Sequence, residues 1–261
     1  MYKTLSKYLA FTKISFREKS KNLPLISGML VILSILLLTY NQLWVVIGKE
    51  SNSTINHSFI WYLLLAETII LSPPRLERIF NEDIRSGNMA YFINKPVSFF
   101  FIRFFEALGE ITSSFIVFIT FGGILTLIIT DDVPFQWQHL PIILAMCYFS
   151  CLINLFIKCA CGMSAIWLNS TRYLNMVIDR LGFVFGGAII PLSIYPEWFI
   201  EIAKYTPFYS FYYLSLRLVY DFSWQNLLLA ITLNIFWLSL LCTIIFVAYR
   251  KLGKRIQIYG G

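Results

Sequence analysis

Long apolar stretches alternate with short polar segments along the whole chain, and this alternation predicts an all-α fold. A helix needs roughly 20 apolar residues to cross the hydrocarbon core of a bilayer. Six stretches approach or exceed that length: about Leu23–Ile47, Ser58–Ser72, Phe99–Ile129, Leu140–Leu168, Leu181–Ile194 and Gln225–Tyr249. The pattern predicts a polytopic membrane protein with six transmembrane helices, in a single domain over residues 1–261.

The fifth stretch differs from the others because it is short and carries residues that interrupt helices. They are Gly182, Gly186, Gly187 and Pro191. Broken helices occur at membrane depth where they are buried in protein or line a cavity. We therefore expect this stretch not to cross as one uninterrupted helix.

Two amphipathic segments are predicted to lie at the membrane surfaces. Residues 1–21 interleave basic and apolar positions, with Leu5, Tyr8 and Leu9 on one side, which predicts a helix in the inner interface. A plain positive flank is the alternative. Residues 191–224 are rich in Tyr, Trp and Pro, which favours the membrane boundary. There the pattern predicts two short helices that dip into the outer leaflet between spans five and six.

The basic residues are distributed unevenly between the two sides of this predicted topology. With the N-terminus inside, only Lys49, Lys204 and Arg217 fall outside. Lys and Arg are retained on the cytoplasmic side of membrane proteins. The distribution predicts a multi-pass protein of the cell (inner) membrane with cytoplasmic N- and C-termini.

The composition supports a membrane domain and excludes several other classes. Hydrophobic residues make up 58% of the chain and charged residues only 13%, against about a quarter in soluble domains. Six crossings leave no room for a soluble catalytic domain. The net charge of +7 arises from residues at the edges of apolar runs, which favours a topology signal over nucleic-acid binding. All five cysteines lie inside apolar runs, where we expect them to pack.

The chain has no motif for nucleotide hydrolysis or metal catalysis. No Gly-x4-Gly-Lys-Ser/Thr phosphate loop occurs, since Gly48-Lys49 is followed by Glu50. Neither His-Glu-x-x-His nor Gly-x-Ser-x-Gly is present. We expect no catalytic residue, no metal site and no cofactor in this chain.

The charged segment between spans two and three has features of a short helix. Residues 75–97 carry seven charged side chains, as a segment in water would. Gly87 accepts the left-handed conformation that a helix C-cap requires, and Pro96 blocks helical continuation at Lys95. An ordinary solvated loop is the alternative.

Three segments resemble the type-2 permeases of ATP-binding-cassette exporters. Asp83–Ser98, with Ile84-Arg85-Ser86-Gly87 and Lys95-Pro96-Val97, resembles their cytoplasmic loop between spans two and three. Pro191–Trp198 resembles their outer re-entrant hairpin, and Gly260-Gly261 their terminal Gly-Gly. Asn88 and Asn94 depart from the family pattern. The resemblance implies a homo- or heterodimer of six-span permeases, each with a separate ATPase subunit that holds ATP and Mg.

The resemblance implies functional roles for two sets of residues. The candidate ATPase-coupling residues are Glu82, Asp83, Arg85, Ser86, Gly87, Lys95 and Pro96. The candidate outer gate consists of Pro191, Tyr195, Pro196, Glu197, Trp198 and Pro207.

Four ionisable residues fall at or near membrane depth: Glu67, Glu106, Glu110 and Lys158. Such residues are costly in hydrocarbon and usually face a partner or water. Glu67 is expected to pair with Lys158 or to lie on a water-filled path. Glu106 and Glu110 share a helical face with Arg103, and because the third stretch is long we expect this trio at the interface. The flexible stem of Lys158 also allows its ammonium to reach the interface.

The expected function is export of an amphipathic, lipid-like, peptide or drug-like substrate out of the cell. The expected partners are an ATP-binding-cassette ATPase, a second permease subunit and membrane lipids, and no nucleic acid. Alternatives are a passive channel or secondary transporter, and a membrane-embedded lipid-modifying enzyme that uses Glu67, Glu106 and Glu110. No internal inverted repeat is evident, which argues against the transporter alternative.

Overall fold

The computed structural model describes residues 2–50, 58–86, 99–164, 168 and 170–259, and these contain helices and no β-strand. The α-helices are α1 Tyr2–Lys21, α2 Leu23–Glu50, α3 Ser58–Leu71, α4 Leu76–Arg85, α5 Phe99–Thr130, α6 Leu140–Met163, α7 Arg172–Phe185, α8 Glu197–Ala203, α9 Ser215–Arg217 and α10 Trp224–Tyr259. Short 3₁₀ turns cover Trp137–His139 and Leu192–Ile194, and a π-helix covers Tyr209–Leu214. The all-α prediction is confirmed for these residues.

Among the described residues, five helical stretches are long and apolar enough to cross a membrane: Leu23–Val46, Ser58–Asp83, Phe99–Thr130, Trp137–Met163 and Trp224–Arg250. They correspond to the first, second, third, fourth and sixth predicted spans. The second combines α3 with most of α4 across the Pro73–Pro74 turn, because α3 alone has 14 residues and a length of about 21 Å. The chain is therefore a polytopic α-helical membrane protein.

The fifth predicted span has different bounds in the structure. Helix α7 begins at Arg172 rather than Leu181, and it ends where Gly186 N–H donates to Gly182 O. Gly187 then has a φ of +61°, which favours glycine and turns the chain away. With 14 residues, α7 is shorter than a bilayer crossing requires. Its first half is polar on one face, so apolar length alone does not mark these residues as part of a span.

Helices α3 and α6 form the centre of the bundle. The buried share of the most apolar part is 67% in the stretch Ser58–Asp83, which contains α3, and 50% in Trp137–Met163, which contains α6, against 11% in Leu23–Val46 and 17% in Trp224–Arg250. The two central helices run parallel and are joined by three contacts to α3 carbonyls. Cys147 Sγ approaches Leu65 O at 3.8 Å, Cys151 Sγ approaches Thr68 O at 3.9 Å, and Asn154 Nδ2 donates to Ile69 O at 2.9 Å.

Helix α1 packs lengthwise against the first half of α5. The Tyr8 ring stacks on Phe105 at 5.3 Å, Thr12 Oγ1 donates to Phe105 O at 2.9 Å, and Ser20 Oγ lies 2.9 Å from Ser113 Oγ. Since these contacts advance in the same direction along both helices, α1 and α5 are parallel. The predicted helix over residues 1–21 is confirmed, and it lies along α5.

The segment between α7 and α10, which was predicted to form an outer re-entrant hairpin and is hereafter the hairpin segment, packs against both of these helices. Phe199 of α8 stacks on Phe185 at 5.3 Å. Phe208 and Tyr212 pack against Gly182 of α7. Farther along, Asn234 Nδ2 donates to Ser215 Oγ at 3.0 Å. These contacts join the segment to α7 on one side and to α10 on the other.

Candidate functional site

Helix α4 has one face packed on the bundle and one charged face exposed. Leu76 and Phe80 are almost fully buried, and Phe80 lies over Gly162 of α6, where an added Cβ would come within 2.7 Å of its ring. On the exposed face, Arg78 Nε donates to Glu82 Oε1 at 2.7 Å. Arg75, one turn earlier, is exposed on the same face. The exposed face is therefore a small charged surface on a helix anchored to α6.

The predicted coupling residues Glu82 and Asp83 lie in different environments. Glu82 is exposed, whereas Asp83 is buried and accepts hydrogen bonds from Arg103 Nε at 2.9 Å and Nη2 at 2.8 Å. Ser86 N–H donates to Glu82 O at 2.9 Å at the end of the helix. The side chain of Arg85 lies outside the described residues. So do three further predicted residues: Gly87, Lys95 and Pro96.

The acidic residues at the start of α5 are paired with neighbouring basic groups. Arg103 Nη1 donates to Glu106 Oε2 at 2.9 Å, and Lys19 Nζ of α1 lies 3.6 Å from Glu110 Oε2. Glu106 and Glu110 border a cavity of about 190 Å³ between α1, α4 and α5, together with Glu18. Together with the Asp83–Arg103 pair, these pairs connect α1, α4 and α5 at one end of the bundle, hereafter the α4 end.

Lys158 pairs with residues of α7. The expected pairing of Glu67 with Lys158 is therefore wrong. The Lys158 Nζ donates to Asn175 Oδ1 at 2.8 Å and to Asp179 Oδ1. Asn175 Nδ2 in turn donates to Asp179 Oδ2 at 3.0 Å. Because Lys158 lies near the α4 end of α6, its long side chain meets the start of α7.

A cavity of about 350 Å³ opens beside the Lys158–Asp179 pair. Its polar lining comprises Asn154, Lys158, Asp179, Arg180 and Tyr212, and its apolar lining Ile70, Met176 and Phe183. Asn175, Asp179 and Arg180 are not among the site residues predicted from the sequence, because they precede the apolar stretch Leu181–Ile194. The i, i+4 spacing of Asn175 and Asp179, close to an intramembrane lysine, is the signal that points to them.

Glu67 is buried in α3 without a hydrogen bond or ion pair to any described residue. Its side chain is only 5% exposed. It lies within electrostatic range of Tyr40 in α2 and of Tyr212 in the π-helix. It does not join Glu106 and Glu110 at their cavity. The three carboxylates of the enzyme alternative are therefore not assembled into one site.

The predicted gate residues lie along the hairpin segment, where three of them are exposed, Tyr195 and Pro207 are half-buried and Pro191 is buried. Pro191 and Pro196 precede the 3₁₀ turn and α8, and Glu197 and Trp198 are exposed in the first turn of α8. Tyr195 stacks on Phe199 at 5.0 Å. On the outer face of this helix, a hydrogen bond to Glu201 raises the pKa of Lys204.

Pro207 directly precedes Phe208, the N-cap residue of the π-helix. No group of three or more His, Cys, Asp or Glu residues is placed to hold a metal within the described ranges.

Comparisons of the chain with family models, with curated proteins and with solved structures give no match.

Proposed function

We propose that this chain is the permease subunit of an ATP-driven exporter of the type-2 ATP-binding-cassette kind. The observation that carries the proposal is the geometry of α4, a ten-residue helix that presents a charged face to solvent and packs its other face on the bundle. A separate ATPase, with its ATP and Mg, docks on Arg75, Arg78 and Glu82. A second permease subunit completes the transporter, which moves an amphipathic cargo outward.

Three attachments support a role for α4 in transmitting force. Phe80 packs on Gly162 of α6, and Asp83 is joined to Arg103 of α5. The third is a hydrogen bond from Thr171 Oγ1, at the start of α7, to Glu77 O at 3.1 Å. A displacement of α4 by a docked ATPase therefore acts on three helices together.

The connection from α6 to α10 supports a sixth crossing made by α7 with the hairpin segment. Helix α7 starts beside α4, as the Thr171–Glu77 hydrogen bond indicates. Just before α10, Phe222 stacks on His139 at the start of α6, with 3.7 Å between ring centroids. The chain thus passes from the α4 end to the opposite end between residues 171 and 222. We infer that this segment is a broken fifth span followed by an outer re-entrant hairpin, with both termini in the cytoplasm.

A charge swap on α4 tests the proposed docking surface. The complex of this chain with an ATP-hydrolysing subunit is isolated from native membranes, and its substrate-stimulated ATPase activity is measured. The double variant Arg78→Glu/Glu82→Arg keeps an i, i+4 ion pair but reverses the charges that a partner meets. We expect stimulation to fall about tenfold or more, since misplaced like charges at an interface cost several kcal/mol.

The matched control is Glu201→Lys/Lys204→Glu, which reverses an ion pair at the opposite end and should leave stimulation unchanged. Normal stimulation in the α4 double variant would remove the docking role. Isolation of an active transporter without any ATP-hydrolysing subunit would remove the exporter proposal itself.

A second candidate, a cation-coupled secondary transporter, is favoured by Glu67. An unpaired carboxyl group within a transmembrane segment is typical of proton and ion pathways. For this candidate, proteoliposomes without ATPase should take up substrate under a pH gradient, and Glu67→Gln should abolish uptake while the unfolding midpoint is kept. Uptake that needs ATP and survives Glu67→Gln would exclude it.

A further inference from the structure

The cavity beside Lys158 has the size and the mixed lining of a ligand site. Its volume of about 350 Å³ lies within the range of small-molecule pockets. One wall is polar and charged, whereas Ile70, Met176 and Phe183 form an apolar wall. A ligand that fits both walls has a polar head and an apolar portion.

In the polar wall of the cavity, the acceptors of Asp179 have hydrogen-bond partners among the described residues but not every donor of Lys158 does. Both carboxylate oxygens of Asp179 already accept hydrogen bonds, one from Lys158 and one from Asn175. The Lys158 ammonium has three donors and uses two of them within the described structure. Asp179 therefore already accepts a hydrogen bond at each carboxylate oxygen, whereas one N–H donor of Lys158 is available to a ligand.

Arg180 and Tyr212 add donors to the same wall. Arg180 has no ion pair with any described acidic residue, and its guanidinium lies 5.7 Å from the centre of the Phe183 ring. Tyr212 is buried, and none of the described side chains or carbonyls receives a hydrogen bond from its hydroxyl. With Lys158 neutralised by Asp179, the charge left for a ligand is the positive charge of Arg180.

The apolar part of such a ligand has a surface next to the cavity. Met176 and Val177 on α7 are 53% and 52% exposed, and Val184, two turns along, is 44% exposed. Met176 both lines the cavity and belongs to this exposed face. An alkyl chain that leaves the cavity at Met176 therefore continues along apolar side chains.

We propose that the Lys158 cavity binds the phosphate or carboxylate headgroup of an anionic amphipath, with its alkyl chain along α7. Arg180 supplies the charge that selects the headgroup, and Tyr212 and Lys158 supply further donors. The further statement that this cavity is the cargo site of an exporter rests on the function proposed above. Binding itself is a property of this chain and is measured without an ATPase.

Native mass spectrometry of the purified chain, released from uncharged maltoside micelles, tests the proposal with three probes. They are dodecyl phosphate, dodecyltrimethylammonium and inorganic phosphate. We expect dodecyl phosphate to saturate at one per chain and the other two to bind at least about tenfold more weakly. Replacing Arg180 by Gln should weaken dodecyl phosphate binding about tenfold, as expected for one charge-assisted hydrogen bond.

Arg172→Gln is the matched control, because it removes the same charge from an exposed position on α7 that does not line the cavity. It should leave binding unchanged. Tyr212→Phe provides a second lining variant and should weaken binding severalfold. Equal binding of the cationic probe, or unchanged binding in both lining variants, would overturn the proposal.

Inorganic phosphate that binds as tightly as dodecyl phosphate would also overturn it, by assigning the site to a free anion. If the α4 variants lose ATPase coupling but still bind dodecyl phosphate, the result agrees with both the exporter proposal and the binding proposal. If the chain has no ATPase partner but binds dodecyl phosphate, only the exporter proposal is contradicted.

Discussion

Gly109 lies where the backbone of α1 comes close to the backbone of α5. A Cβ built at this position would lie 2.2 Å from Thr12 O and 2.9 Å from Phe16 N. Both are main-chain atoms, so no side-chain rotation can relieve the overlap. The absence of a side chain at Gly109 therefore permits the lengthwise contact between the two helices.

Gly109→Ala should destabilise the protein by about 1–3 kcal/mol, the usual cost of overpacking. The measurement is the thermal unfolding midpoint of the purified chain in detergent, which should fall by several degrees. Gly123→Ala is the control on the same helix, because nothing lies within 4 Å of an added Cβ there. That variant should be neutral or slightly stabilised, since alanine favours helix by about 1 kcal/mol. Equal midpoints for the two variants would contradict the packing of α1.

At the scale of elements, α4 combines a structural face with an exposed one. Asp83 connects α4 to α5 through Arg103, and its side chain is only 7% exposed. The Arg78–Glu82 pair lies in solvent, with side chains 69% and 63% exposed. Ion pairs of these two kinds contribute very differently to stability.

Asp83→Asn should therefore lower the free energy of unfolding, whereas Glu82→Gln should not. We expect a loss of about 1–3 kcal/mol for Asp83→Asn, less than for a fully buried pair because Arg103 keeps Glu106 as a partner. For Glu82→Gln we expect less than about 0.5 kcal/mol. Denaturant or thermal unfolding in detergent measures both. A Glu82→Gln variant as unstable as Asp83→Asn would show that the exposed pair supports the fold.

The element boundaries show which physical signals a sequence carries. Helices α2, α3, α5, α6 and α10 begin within one residue of the predicted positions. Uninterrupted apolar length determines where such helices start, and length is visible in a single sequence. In contrast, α7 is amphipathic, and its polar half faces Lys158, a partner distant in sequence. Its boundaries depend on that tertiary contact.

The candidate site was predictable only in part for the same reason. The charged segment around Glu82 and the stop at Ser86 follow from local sequence. The cavity beside Lys158 does not, because it forms where α6, α7 and the hairpin segment meet. The placement of the helices determines which acidic residue pairs with Lys158. That residue is Asp179 and not Glu67.

At the scale of the whole molecule, the two ends of the bundle differ in chemistry. The α4 end carries the charged face of α4 and the ion pairs of Lys19 and Arg103. The opposite end carries exposed aromatic residues, with Trp137, Trp198, Tyr205 and Trp224 each more than 60% exposed. Exposed Trp and Tyr rings suit an outer membrane interface, and the charged face of α4 suits the proposed ATPase at the other end.

Cysteine labelling in intact cells measures the orientation that this difference predicts. Glu82→Cys and Trp198→Cys are made in a Cys242→Ser background, because Cys242 is exposed and the other four cysteines are buried. A membrane-impermeant maleimide should label position 198 in intact cells, and position 82 only after permeabilisation.

Three crossings, by α5, α6 and α7 with the hairpin segment, separate positions 82 and 198 in the proposed topology. An odd number of crossings puts them on opposite sides, so labelling of neither position in intact cells, or of both, would place them on the same side and mean that the segment after α6 does not cross. Labelling of position 82 alone from outside would invert the bundle. Since ATP is hydrolysed in the cytoplasm, that result would leave the charged face of α4 on the wrong side to receive an ATPase.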